Sequence, residues 1–334
     1  MRKKIVGVLK YLIFLGIGIF LTWWQLSKMT HEQGVQFKES LQHARYIVIL
    51  PIFFIAILSH LSRAMRWKIM IEPMGYNPST SNTFYSTLCG YFANTFIPRA
   101  GEILRCTLLG RYEKIPVNKL IGTILIERVF DLFCYFLIII FTICIQIDTV
   151  SDFIKNKVLQ LSNKNAHFPW IQTLILVAII LIVIFFFIRW ILRNYANHRY
   201  VLKLKGIHVG LREGFYSIVR LKKRRAFILH SIFIWTLYLL EIYIGFQALS
   251  ATSALGLGAA FSVLSLATLA MIVAPGGIGA FPVAVQQVLL IYSIDNISFG
   301  WLMWAVTTGI IIIAGAIAFV LLIYANKKKD ETER

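Results

Sequence analysis

The chain has 334 residues, 58% of them hydrophobic, with 34 Lys and Arg against 15 Asp and Glu, a formal net charge of +19. Only 15% of residues are charged, against roughly 25% in soluble proteins. Apolar runs such as 171–188 and 301–324 match the roughly 20 residues that cross a bilayer. A soluble globular fold is excluded, and the expected class is an all-α polytopic membrane protein.

In chain order, full spans are predicted at about 5–26, 46–62, 120–147, 169–190, 226–250 and 299–325. The first follows a basic start, MRKK, and its apolar run is too long for a signal-peptide core, so it reads as a retained span. Two further apolar stretches differ in kind. Residues 82–97 are only moderately apolar and carry Asn82 and Asn94 before Pro98. Residues 256–294 are interrupted by Pro275, Gly276, Gly277 and Gly279, so each half is short for a crossing. Both are read as re-entrant helical hairpins.

With the N-terminus in the cytoplasm and both hairpins returning to their side of entry, 27 of the 34 Lys and Arg face the cytoplasm. That asymmetry is what the positive-inside rule demands. The layout is one transmembrane domain, 1–325, with a charged cytoplasmic tail, 326–334. Its two halves, about 1–150 and 169–325, repeat the order span, span, hairpin, span in opposite orientation. Interrupted segments at matching places in inverted halves point to a transporter's binding site. Localisation in a bacterial-type inner membrane is expected, with both termini cytoplasmic.

Three polar groups stand where lipid makes polarity costly. The first is Asn94, Pro98, Arg99, Gly101, Glu102 and Arg105. Pro98 and Gly101 break one helix and begin another, gathering free N–H groups that attract anions. Arg99 adds a bidentate phosphate donor, and Glu102 and Arg105 share a helix face and can pair. The group reads either as a site for an anionic lipid headgroup or as an interfacial helix facing cytosol. The second is Glu127, Arg128 and Asp131. Asp131 lies about 16 Å into its span from Leu120 at 1.5 Å per residue, where charge marks a substrate path by default. The alternative is a buried network bracing Arg99 or Arg105. These three charges sum to −1, which calls for a further cation, with an arginine of the first hairpin as candidate. The third is the hairpin tip of Pro275, Gly276, Gly277 and Gly279, which either exposes amides to a ligand or permits close helix packing.

Lesser candidates are Glu241, read as an interhelical partner or a functional acid, and His60, read as interfacial. Arg63, Arg66 and Trp67 read as a snorkelling interface belt. The four cysteines show no zinc or disulfide spacing and read as buried free thiols. The basic 189–225 segment joins two spans and is accounted for by anionic lipid, so no nucleic-acid partner is expected.

Asn94, Pro98, Gly101, Glu102 and Arg105, then Glu127, Arg128 and Asp131, then Gly276, Gly277 and Gly279 resemble a known family. It is the flippase-like transmembrane domain of the lysylphosphatidylglycerol synthetases, the multiple peptide resistance factor type, and the likeness covers nearly the whole chain. The resemblance implies a domain that moves aminoacylated phospholipid from the inner to the outer leaflet, the lipid being made by a separate soluble domain. Two departures limit it. No synthase domain is expected after NKKKDETER, and Pro282 stands where the family pattern has an acidic residue. Neither lipid synthesis nor a lysyl-lipid substrate is carried over.

The leading expectation is a translocase for an amphiphile with a charged headgroup, an anionic or aminoacylated phospholipid or a polyprenyl-linked substrate. A non-catalytic membrane partner of a separate transferase is the second reading, and an intramembrane enzyme the third. Against the enzyme, the chain has no HExxH and no GxSxG, and no GxxxxGK[ST] for nucleotide. No cofactor, metal or catalytic residue is expected.

Overall fold

The computed structural model describes residues 29–97, 100–161 and 221–332, with Gly16, Ile19, Phe20, 22–25 and Ser27 before them. Side chains are described to 148 in the second segment and to 327 in the third, apart from Val273 and Pro275. The predicted span 169–190, most of 5–26 and the 189–225 segment up to 220 lie outside the described residues.

Every regular element among the described residues is helical. A short helix α1 (His31–Gln42) opens on a capping box, with Thr30 Oγ1 accepting from the Gln33 amide and the Gln33 side chain from that of Thr30. Helix α2 (Ile49–Ile71) takes Pro51 in its first turn, where the missing N–H has no helical acceptor. A left-handed Gly75 at φ 85° ends the turn after it. Helix α3 (Thr80–Phe96), capped by Ser79, is followed by α4 (Ala100–Glu113) and the long α5 (Val117–Leu161). The second series is α6 (Arg224–Gly245), α7 (Leu257–Val273), α8 (Ala280–Ile291) and α9 (Ser298–Thr332).

Four stretches are long and apolar enough to cross a membrane: Tyr46–Met74, Val117–Asp148, Arg224–Ala248 and Ser298–Lys327. They coincide with four of the predicted spans. The 17 residues each of α3 and α7 reach only about 25 Å at 1.5 Å per residue.

Hydrogen bonds between helix ends order the bundle. At one end, Glu113 closing α4 accepts from Ser79 and Asn82 opening α3, and Asn82 exchanges amide bonds with Asn326 of α9. Lys223, just before α6, pairs at 2.9 Å with Glu72, just after α2. At the other end, the Arg45 amide donates to the Ala248 carbonyl, and Tyr292 after α8 donates to Gln146 of α5. Hairpin α3–α4 thus starts and finishes at the first end, and hairpin α7–α8 at the second. The two enter the bundle from opposite ends.

The two series of helices pack against each other. Helix α2 packs on α6, α3 on α9, and α7 on α5, while each hairpin packs on itself. The largest core joins α2, α6, α7, α8 and α9 through residues such as Ile52, Ala56, Phe246, Val263, Leu289 and Phe299. A second, around Trp67, Ile71, Cys106, Leu109 and Leu120, seats α4 on α2 and α5. The thiols are free, and only Cys89 and Cys106 are buried; Cys134 is half-buried and Cys144 exposed. Cys144 lies on the outward side of α5, so burial was too broad an expectation for the set.

A buried arginine–carboxylate cluster as candidate functional site

Helix α5 presents one inward face, on which Leu120, Thr123, Ile124, Glu127, Phe130 and Asp131 are all buried. The i, i+3, i+4 spacing puts them in register. Helix α2 does the same with Ser59, His60, Arg63, Arg66, Trp67 and Met70. Trp67 Nε1 donates to Thr123 Oγ1 at 2.8 Å and fixes the two faces against each other.

Where they meet, three arginines close on two carboxylates. Arg63 Nη1 lies 3.2 Å from Glu127 and 3.0 Å from Asp131, and its Nε donates to Tyr238 Oη at 2.8 Å. Arg66 Nη2 lies 3.2 Å from Glu127, and Nη1 donates to Ser231 Oγ at 3.1 Å. Nη2 also lies 2.7 Å from Asp131 Oδ1. Arg105, from the first hairpin, bonds the other Glu127 oxygen and stacks 4.5 Å over the Trp67 ring. All five side chains are at most 11% exposed. With three cations and two anions, the cluster carries one net positive charge.

The expected roles are redistributed. Arg105 is the first-hairpin cation that the charge at 127–131 calls for. Arg63 and Arg66 are not a snorkelling belt, because helix α6 covers their face of α2 and leaves no path to water. His60 is not interfacial either; it is buried, with its ring 4.8 Å from that of Tyr91. The usable sequence cue was spacing, since Arg63 and Arg66 follow Ile52, Ala56 and Ser59 on the apolar stripe of α2. Glu102 does not pair with Arg105. It accepts from Arg128 Nε at 2.8 Å, and that pair is 30% and 38% exposed. Glu241 is half-buried, and among the described residues no interhelical hydrogen bond holds it.

Asn94 works inside the first tip, its Oδ1 accepting from the Gly101 amide at 2.9 Å. Gly101 faces Gly90 so closely that a Cβ on Gly101 would overlap the Gly90 carbonyl. Pro98 and Arg99 lie outside the described residues. In the second tip Gly276, Gly277 and Gly279 hold φ of 61°, 70° and 68°, values that glycine alone adopts freely. Within this tip the Gly277 amide donates to the Ala274 carbonyl and the Ala280 amide to the Ile278 carbonyl. The Gly276 carbonyl accepts from Trp304 Nε1 at 2.8 Å. Gly276 also rests on the backbone of Thr95, close enough that an added Cβ would stand 3.4 Å from the Thr95 carbonyl oxygen. The two tips therefore touch.

The family described as lysylphosphatidylglycerol synthase TM region matches residues 8–315. The chain belongs to this family. A UPF0104 membrane protein of Methanocaldococcus jannaschii is 31% identical over 101 residues, 29% of this chain and 30% of that protein. A UPF0104 membrane protein of Methanothermobacter thermautotrophicus is 24% identical over 260 residues, 70% of each chain. No solved structure matches. For this member of the family, the motif residues Arg105, Glu127 and Asp131 sit in one buried cluster, while Glu102 and Arg128 stand at its edge.

Proposed function

We propose that this chain is a translocase carrying an amphiphile with a charged headgroup, a phospholipid or a lipid-linked glycan, between leaflets. The observation that carries the reading is the contact of the two hairpin tips, entering from opposite ends, beside a buried cluster with one excess positive charge. In this reading the two hairpins are re-entrant in the membrane and belong to inverted halves of a six-span domain. The basic end of the bundle, with Arg111, Lys119 and Lys223, then faces the cytoplasm along with both termini. Interrupted helices meeting at mid-depth form the substrate site of many transporters. The chain acts without catalysis: Glu127 and Asp131 are engaged by arginines on each side, which leaves neither poised as an acid or base.

The test is leaflet exchange of tail-labelled phospholipid in vesicles containing the purified chain. Exchange about tenfold above that of vesicles holding an unrelated helical protein is expected. Gly276→Val, which forces a side chain against Thr95 at φ 61°, should retain helical content and lose most of that exchange. Exchange by the unsubstituted chain no faster than the control would refute the reading.

A further inference from the structure

Helix α5 has an outward stripe opposite the buried cluster. Ile121, Leu125, Leu132 and Phe136 are 40%, 61%, 56% and 58% exposed. Arg128 lies on that stripe, three residues after Leu125 and four before Leu132. No other charged residue stands on α5 between 121 and 147 except inward-facing Glu127 and Asp131. A cation among apolar side chains at this depth is costly; among the described residues its one hydrogen bond runs from Nε to Glu102 Oε1, with Tyr91 and Glu127 as further electrostatic neighbours. Among the described residues, the two terminal nitrogens of Arg128 and the second oxygen of Glu102 make no hydrogen bond. The pair thus differs from the inner cluster, whose members are packed and multiply engaged. Exposed apolar side chains flank it: Phe96 and Ile97 at the first tip, and Ile103 beside Glu102, are 52%, 56% and 60% exposed.

We propose that Glu102 and Arg128 form the headgroup-reading pair, and that the headgroup class is a zwitterionic phosphodiester bearing a hydrogen-bonding ammonium. This rests on the translocase reading above. Arg128 presents its open fork to two phosphate oxygens, the bidentate geometry that guanidinium favours, and the free oxygen of Glu102 accepts from the ammonium. The chains of the lipid lie along the exposed apolar stripe. Exchange of one ion pair for two conserves charge: a neutral pair meets a neutral headgroup, and no net charge is desolvated. A mono-anionic headgroup would occupy Arg128 with its phosphate and bring no ammonium to Glu102, leaving two anions to share one cation, and like-charge contacts of this kind reject wrong ligands.

The experiment measures, in one vesicle preparation, exchange of tail-labelled phosphatidylethanolamine and of tail-labelled phosphatidylglycerol by the purified full chain. The unsubstituted chain is expected to move the ethanolamine lipid faster, and Glu102→Gln to lower the ratio of the two rates about tenfold. The double variant Glu102→Arg/Arg128→Glu, which keeps both charges in reversed places, should return the ratio toward its original value. The ratio is internal to each preparation, so a poorly folding variant lowers both rates without changing it. If the chain moves both lipids and the ratio is unaltered by Glu102→Gln, the assignment of the pair is overturned while the translocase reading stands. If the unsubstituted chain moves neither, both are overturned.

Discussion

Glu127 accepts from Arg63, Arg66 and Arg105 in a space closed to water, so its charge is the hinge of the local balance. Glu127→Gln leaves three guanidinium groups facing one carboxylate. Removing one partner of a buried pair strands the others and costs about 3–5 kcal/mol. Denaturant unfolding of the detergent-solubilised protein should show a loss of that size. Arg105→Lys should also fail to preserve stability, because an ammonium cannot combine the Trp67 ring face with the carboxylate bond as a planar guanidinium does. Its melting temperature is expected to fall toward that of Arg105→Gln rather than stay with the unsubstituted protein.

At the scale of elements, each hairpin is short and rests on its tip. The first closes through the mutual approach of Gly90 and Gly101 and the Asn94 bond to the Gly101 amide. Gly101→Ala would push a methyl group into the Gly90 carbonyl and Asn94, so α3 and α4 must part. Overpacking of this sort costs about 1–3 kcal/mol, and thermal melting should register it. Asn94→Ala, which only frees one amide at the start of α4, is expected to cost about 1 kcal/mol. A larger loss for Asn94→Ala than for Gly101→Ala would contradict this account of the tip.

Across the whole molecule, α3 packs on α9, α7 on α5 and α2 on α6. A bundle whose hairpins each pack on a long helix far away in sequence cannot be divided into two independent units. The basic residues Arg111, Lys119 and Lys223 gather with Glu72, Glu113 and Asn326 at one end, and Gln33, Arg45 and Asp295 lie at the other. In cells carrying a Cys144→Ser variant, a cysteine at Ser250 should react with an impermeant maleimide added outside. One at Lys119 should react only after permeabilisation. The reverse pattern would invert the proposed orientation.

Much of this architecture is legible in the residues themselves. Apolar runs of about 20 residues commit a helix to lipid because its own backbone bonds satisfy every peptide group there. Gly276, Gly277 and Gly279 mark the second break because φ values of 61°, 70° and 68° are ones that glycine alone adopts freely. The family likeness rests on the same motifs. The pairing of charges lay beyond it. Periodicity says which residues share a face, but not which faces meet, and Arg63 and Arg66 become cluster members only because α6 covers them and α5 stands opposite. Glu127 and Arg128, neighbours in sequence, point about 100° apart around a helix of 3.6 residues per turn. The fold sends the first into a net-positive core and leaves the second on the apolar outer surface.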